Sequence, residues 1–456
     1  MKILKTKFTD TLTYKLRYVW LYIIVGALLL GAVIAMPELT GMRLSDAERT
    51  SALTSASKDL HLANFPYHLL QGLSISMLGM TPLAVKLPSI VLGIITAILI
   101  TLLLNRWYRN LTAFITTALI VSSVAFLTLT GSGTPTILYL LFPVLMLWLG
   151  SQIIDEKPKV LTVVALSAAA IISVFIPYMI YFDLALFLLV FAHPHLRFSL
   201  YRLPRRAIII AILAAAVAIV PLFLFVPGVN FNEFLLPHFQ PAESSLGAWR
   251  QIIGLNEPLS WFSLPLLALM LVGAYATFLD YHIARNQIVF ALILISLLAS
   301  LFFPPLFTTT VLLAIILIGN GLGFLIKNWR GIFPNNIYAA LVAALPLAAF
   351  TILAAATSIN FFYTAPRTIA AVHYEANNDL QLLQENISEK DQLVLVNFTE
   401  FYAQAFPDNA TYADFRPENL TASRVISDRP LTTDRRLEKI ITSSSATQAA
   451  RFYIYK

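Results

Sequence analysis

Windows of about 18 to 22 mostly apolar residues recur along most of the chain, and nothing constrains its fold more: each can cross a hydrocarbon core as a helix. They fall near 17–36, 84–104, 111–130, 136–153, 160–176, 177–193, 207–226, 259–279, 288–303, 304–326 and 338–358. In lipid every backbone polar group must be paired within the protein, so spans of this length are helices; they are too long for barrel strands. The pattern predicts an all-α polytopic membrane protein of about eleven transmembrane helices. With 58% hydrophobic and 12% charged residues, the composition excludes an ordinary soluble enzyme. Two divisions rest on proline alone, at Ile176-Pro177 and Pro304-Pro305, where a tight turn splits a continuous apolar run.

Basic residues assign the sides of the membrane, because Lys and Arg are retained in the cytoplasm. With the N-terminus inside, the inner segments carry Lys2, Lys5, Lys7, Lys15, Arg17, Arg106, Arg109, Lys157, Lys159, Arg197, Arg202, Arg205, Arg206, Arg285, Lys327 and Arg330. The outer loops carry Arg43, Arg49, Lys58 and Arg250, with Lys86 at the membrane edge. The net charge of +7 is therefore mainly an orientation signal, and no nucleic-acid partner is expected. The first span is read as a permanent helix, since it runs into a charged loop without a small-x-small cleavage site. The absence of cysteine excludes disulfides and thiolate metal sites, and for an exported domain it points to a bacterial cytoplasmic membrane.

The spans divide the chain into a membrane domain, 1–358, and a polar C-terminal region, 359–456, which an odd number of spans places outside the cell. That tail reads as a small extracytoplasmic α/β domain. "DLQLLQENI" has helical spacing, "QLVLV" and "RFYIY" alternate as strands, and "TTDRRLEKIITSSS" reads as a further helix. Two long outer loops, 37–83 and 227–258, interrupt the membrane domain. The triplet Gly319, Gly321 and Gly323 reads as a site of close helix approach.

The first outer loop opens with "LSDAERTSALTSASKDL". On a helix Asp46 and Glu48 point about 200° apart, so the two acids cannot address one atom. One faces the cavity and the other meets Arg43, Arg49 or solvent. An acid beside the bilayer and partly desolvated is suited to take a proton; the plainer reading is Ser45 as an N-cap, with the acids complementing the helix dipole. Asp183, in "IPYMIYFDLALF", is a costly intramembrane carboxylate and hence a second candidate, its plainer role being a hydrogen bond to Tyr178, Tyr181 or a facing helix. Arg250 is a candidate phosphate clamp or an interfacial anchor beside Trp249, and Lys86 a phosphate partner or a snorkelling side chain. His61 and His68 are seven residues apart, but Pro66 stands between them, so loop hydrogen bonding explains them more simply than a metal site does. No P-loop motif is present.

The continuation "HLANFPYHLLQGLSISMLGMTPLAVKLPSIVLGI" changes the weight of these candidates. Asp46-Ala47-Glu48, Pro66-Tyr67, Leu78-Gly79 and Lys86-Leu87-Pro88-Ser89 resemble the opening of the GT-C superfamily of membrane glycosyltransferases. The resemblance is especially to the branch with protein O-mannosyltransferases and lipid A aminoarabinose transferases. The detailed resemblance covers about residues 20 to 155. It implies an inverting transfer of sugar from a polyprenyl-phosphate donor to a glycan, lipid or protein acceptor at the outer face. Asp46 or Glu48 would be the general base, and Lys86, Arg250, Asp183, Tyr67 and His68 would bind substrate. No obligatory metal or other cofactor is expected, and the partners are membrane lipids and the lipid-linked sugar. The chain departs from the family in two places: Ala47 separates acids that are often adjacent, and the turn "LTGSGTPTILYLLF" offers Ser132, Thr134 and Thr136 where relatives carry an acid or an arginine. A non-enzymatic transporter or flippase, or a GT-C protein whose catalysis has lapsed, is the competing reading.

Overall fold

The computed structural model describes residues 44–57, 61–108, 110–153, 160–201, 264–303 and 308–332. It also describes much of 346–360 and, in the C-terminal region, 378–388, 391–395, 399–407, 424–431, 435–442 and 451–456. The first expected span, the loop 227–258 with Arg250, and most of the spans at 207–226 and 338–358 lie outside the described residues.

The loop expected on the outer side, here called the outer loop, contains two helices, α1 (Asp46–Ala56) and α2 (Phe65–Leu78). Gly72 lets them cross closely, since a Cβ there would sit 2.7 Å from the Ser55 carbonyl oxygen. α3 (Pro82–Trp107) then enters the membrane, with Pro82 at its first turn, where a missing N–H costs nothing, and Thr81 capping Ala84. α3, the segment Pro135–Ile153 and Thr308–Trp329 are each long and apolar enough to cross a membrane. Pro135–Ile153 comprises a short 3₁₀ turn followed by α6 (Leu138–Ile153). The shorter apolar helices are α7 (Val160–Ser173), α8 (Met179–Ala192), α10 (Leu264–Leu279) and α11 (Ala284–Phe302); α9 (Pro194–Tyr201) follows α8, and α12 (Thr308–Ile332) ends the described bundle.

The expected span at 111–130 is not one straight helix. It is α4 (Asn110–Val121) and α5 (Val124–Gly131), bent by 60°. The break falls at Ser122 and Ser123. Their hydroxyls donate to the Leu119 and Ile120 carbonyls at 3.0 and 2.6 Å, and Ser123 Oγ accepts from the Phe126 N–H at 3.3 Å. Backbone groups freed at membrane depth are thus partly paired locally. The proline splits fall where expected: α7 ends at Ser173 and α8 begins at Met179, while α11 ends at Phe302 and α12 begins at Thr308.

α10 and α12 cross at glycine. A Cβ on Gly273 would collide with the Leu317 carbonyl, and one on Gly321 with that of Leu269, so both positions admit only hydrogen. Asn320 secures the crossing by donating to Thr277 Oγ1 at 2.7 Å. Gly319 instead faces Tyr108 and Leu104.

The C-terminal region contains α13 (Asp379–Asn386), α14 (Thr399–Ala405) and a four-stranded sheet. Its strands are β1 (Asp391–Val394), β2 (Arg424–Ser427), β3 (Leu437–Thr442) and β4 (Arg451–Tyr455), in the order β1-β2-β4-β3. β1 and β2 are parallel; β4 runs antiparallel to both its neighbours. The helix expected within "TTDRRLEKIITSSS" is instead strand β3, because pairing with β4 outweighs the local helical spacing. β3 is a charged, largely exposed edge carrying Glu438 and Lys439, with a bulge between Leu437 and Lys439.

This domain and the first outer loop share one hydrophobic core. Leu44, Ala52, Met80 and Val85 cluster with Leu380, Leu383, Leu393, Phe401, Tyr402, Ile426 and Ile454. The larger core lies within the bundle, around Ile100, Leu103, Phe126, Leu140, Ile315 and Phe182.

Candidate functional site

The site is built where α1, the start of α3 and the turn before α6 meet under the C-terminal domain. α1 opens with a complete capping box. Ser45 Oγ accepts from the Glu48 N–H at 3.3 Å, and Glu48 Oε2 accepts in return from the Ser45 N–H at 2.7 Å and hydroxyl at 3.2 Å. The other carboxylate oxygen, Oε1, accepts from the Gly133 N–H at 2.6 Å and pairs with Lys86 Nζ at 3.7 Å. Glu48 and Lys86 are only 2% and 5% exposed. Such a pair persists in a dry setting only when further donors saturate the carboxylate, as three do here.

Glu48 thereby supplies an acid to the very turn whose own sequence carries none. Gly133 must be glycine for this contact: an added Cβ would lie 2.8 Å from Val85 Cγ1 and 3.4 Å from Glu48 Cγ. Beside it the hydroxyls of Ser132, Thr134 and Thr136 lie 3.0 to 3.3 Å from one another.

Asp46 has the opposite character. Its side chain is 47% exposed, and among the described residues its one ion pair is to Arg49 Nη1 at 3.6 Å. The two acids therefore diverge as helical geometry requires, Glu48 inward and Asp46 toward water.

Gln71 fixes the far side. Its Nε2 donates to the Val85 and Gly133 carbonyls at 2.9 and 3.0 Å, which turns Oε1 toward the hydroxyls of Ser51 and Ser55 at 2.8 and 2.6 Å. The single Ser55 proton faces two acceptors, Gln71 Oε1 and the Ser51 carbonyl at 2.8 Å. The contact of Ser55 Oγ with His68 Nδ1 at 2.8 Å must then be donated by the ring. This hydrogen-bond inventory assigns the proton of His68 to Nδ1 and leaves Nε2 as an acceptor. Burial, helped by the nearby His61, lowers the His68 pKa to about 4, so the ring is neutral at physiological pH. His61 lies before α2 and shares no helix with it.

Tyr67 is fully buried, its hydroxyl 2.8 Å from Ser89 Oγ, which donates to the Thr134 carbonyl at 3.3 Å. Burial raises its pKa far above the ordinary phenol value, keeping it protonated. The structure thus brings Glu48, Lys86, Tyr67 and the 132–136 turn together, with Asp46 on the rim and His68 at the far end of α1. Asp183 lies apart, on α8, where it accepts from Ser173 Oγ at 2.6 Å. Its partner is on the preceding helix α7, and Oδ1 is buried with no hydrogen-bond partner among the described residues. No group of three or more potential metal ligands occurs among the described residues. Sequence reasoning did not single out Gln71, Gly133 or Asp379; a lone glutamine in an amphipathic helix carries no signal of the four groups it gathers.

No family model matches the chain, and no curated protein does. Among solved structures it is similar to ArnT from Cupriavidus metallidurans in the apo state, with a TM-score of 0.59 and 12% identity over 97% of this chain and 98% of that one. It is similar also to the same protein bound to undecaprenyl phosphate, with a TM-score of 0.61 and 12% identity over 96% and 97%. At this identity the likeness concerns the fold, and it extends over the outer loop, the bundle and the C-terminal domain alike. The chain has the fold of ArnT, that of the GT-C membrane glycosyltransferases.

Proposed function

We propose that this protein is a glycosyltransferase of a bacterial cytoplasmic membrane that moves a sugar from a polyprenyl-phosphate donor to an acceptor at the outer face. The observation that carries this reading is the division of labour at α1: a half-exposed carboxylate, Asp46, stands on the rim of a site whose interior holds the cation Lys86. A structural neighbour of the same fold is captured with undecaprenyl phosphate, the phosphate class that such a cation suits.

In the proposed reaction the acceptor hydroxyl or amine loses its proton to Asp46 as its heteroatom bonds to the anomeric carbon. The bond from that carbon to the phosphate oxygen breaks, and its electron pair leaves with the polyprenyl phosphate. Attack opposite the phosphate inverts the anomeric centre. Lys86, shared with Glu48, and Arg250 would stabilise the charge developing on the leaving group. Glu48 holds Lys86 and the 132–136 turn in place. Tyr67, through Ser89, supports that turn, and the His68 Nε2 lone pair is suited to accept a hydrogen bond from a substrate hydroxyl. Asp183 would receive a sugar hydroxyl or a cation on its free oxygen. The basic bias of the alternate loops supports a first long loop outside the cell and, through the core they share, a C-terminal domain on the same side.

The test is transfer of radiolabelled sugar from a panel of polyprenyl-phosphate donors by purified protein in vesicles, wild type against Asp46→Asn and Glu48→Gln. Loss of transfer in Asp46→Asn with the protein still folded supports the reading. Undiminished transfer in Asp46→Asn overturns Asp46 as the base, and donor translocation without transfer would favour a lipid flippase.

A further inference from the structure

Arg49 is a buried cation of the outer loop, with a side chain only 3% exposed, and it faces two acids from different parts of the chain. Nη1 lies 3.6 Å from Asp46 Oδ1 on its own helix, and Nη2 lies 3.6 Å from Asp379 Oδ2 at the start of α13 in the C-terminal domain. Its guanidinium carbon also stands 5.7 Å from the centre of the Tyr402 ring on α14. The two acids differ sharply in setting. Asp379 is 6% exposed and Asp46 47% exposed, so the guanidinium couples to Asp379 through low dielectric and to Asp46 through water.

We propose that Arg49 is a positioning residue that links docking of the C-terminal domain to the charge state of Asp46. With the domain docked, Asp379 and Tyr402 draw the cation inward, and Asp46 keeps only part of its field. With the Asp379 charge absent, Arg49 pairs with Asp46 alone and weakens it as a proton acceptor. The domain is in this sense a part of the site, joined to it by one arginine and by the core that Leu380, Leu383 and Phe401 share with Leu44, Ala52 and Val85.

The other charged groups around Asp46 are accounted for. On its own helix Glu48 turns inward to Lys86 of α3, and Arg49 is the cation in question. The C-terminal domain contributes Asp379, Tyr402 and Asp428, while Arg43 lies outside the described residues. Tyr402 registers the cluster: burial raises its pKa well above the ordinary phenol value, Arg49 opposes the rise, and Asp379, Asp428 and Asp46 add to it. All four charges are therefore within reach of one ring.

The catalytic meaning of this link rests on Asp46 being the base, but its test does not. The full-length protein, labelled with carboxyl-¹³C aspartate in nanodiscs, is titrated by NMR, and the Asp46 signal is assigned by its disappearance in Asp46→Asn. In Asp379→Asn the Asp46 midpoint should move down by about 0.5 pH unit, the size expected of an ion pair of this separation near water. In Arg49→Gln it should move up by a similar amount. The double variant Arg49→Gln/Asp379→Asn separates a link through Arg49 from simple charge removal: Asp379→Asn should add no shift once Arg49 is gone, and a shift that persists would overturn the proposal. Deuterium exchange over residues 44–57 provides a second readout, with faster exchange expected in Arg49→Gln as the domain loosens its hold on α1. If one variant fails to fold, the direction of shift in the other decides. An Asp46 midpoint unmoved in either folded variant overturns the proposal. Opposite shifts combined with normal sugar transfer in Asp46→Asn would leave the link standing and remove Asp46 from the base role.

Discussion

Two carboxylates drawn away from water, Glu48 buried at the mouth of the bundle and Asp183 half-buried within α8, answer the same physical problem differently. Glu48 receives the Ser45 N–H and hydroxyl, the Gly133 N–H and the Lys86 ammonium. Asp183 receives one hydroxyl, from Ser173, and its second oxygen has no partner among the described residues. A carboxylate whose lone pairs are filled by its own protein fixes structure and has little capacity left for a substrate. One with an open oxygen costs stability and is the better candidate for binding something. Asp46, half in water, is a third case, with its carboxylate open to solvent and to a substrate.

The largest effect that could break this comparison is on stability. Glu48→Gln should cost about 3 to 5 kcal/mol, because it leaves Lys86 buried without its counter-charge. Thermal unfolding in detergent measures it, and a loss under about 1 kcal/mol would put Glu48 in the class of dispensable surface pairs. Asp46→Asn should leave the unfolding temperature unchanged while lowering transfer by about 100-fold or more, the usual worth of a positioned base. Gly133→Ala should destabilise by about 1 to 3 kcal/mol as Val85 and Glu48 give way to the new methyl group, read from the same unfolding curves.

His68 gives a pH signature. Its folded pKa, about 4, lies below the ordinary 6.5, so the unfolded chain binds the extra proton first. Stability should therefore fall as pH drops from 6.5 toward 4 and this contribution should level off below, and His68→Gln should remove that slope from a series of unfolding curves. The smallest effect is expected at Asp183. Asp183→Asn should change stability by less than about 1 kcal/mol, since relief of a costly charge offsets a weaker bond from Ser173. A loss as large as that of Glu48→Gln would mean that Asp183 is held as firmly as Glu48, and the contrast between them would collapse.

Much of this was legible before any coordinates. The proline splits, the close approach at Gly321 and the Ser45 cap each follow from local rules, and all three appear where those rules place them. The bend at Ser122-Ser123 was not legible, because two serines in an apolar run are compatible with a straight helix until neighbours decide. β3 was misread for a related reason: "LEKIIT" has ambiguous local preference, and only β4 beside it selects the strand.

Sequence alone determined the membrane class, the positions of most described helices and the short stretch in which the acids lie, because hydropathy, proline and capping act over a few residues. Tertiary structure decided which acid does what. Glu48 became a buried hub only because Gly133 and Lys86, far along the chain, arrive beside it, and Arg49 became a link only because Asp379 folds back onto α1. The role of a charge is set by its solvation and its partners, and both are properties of the packed chain.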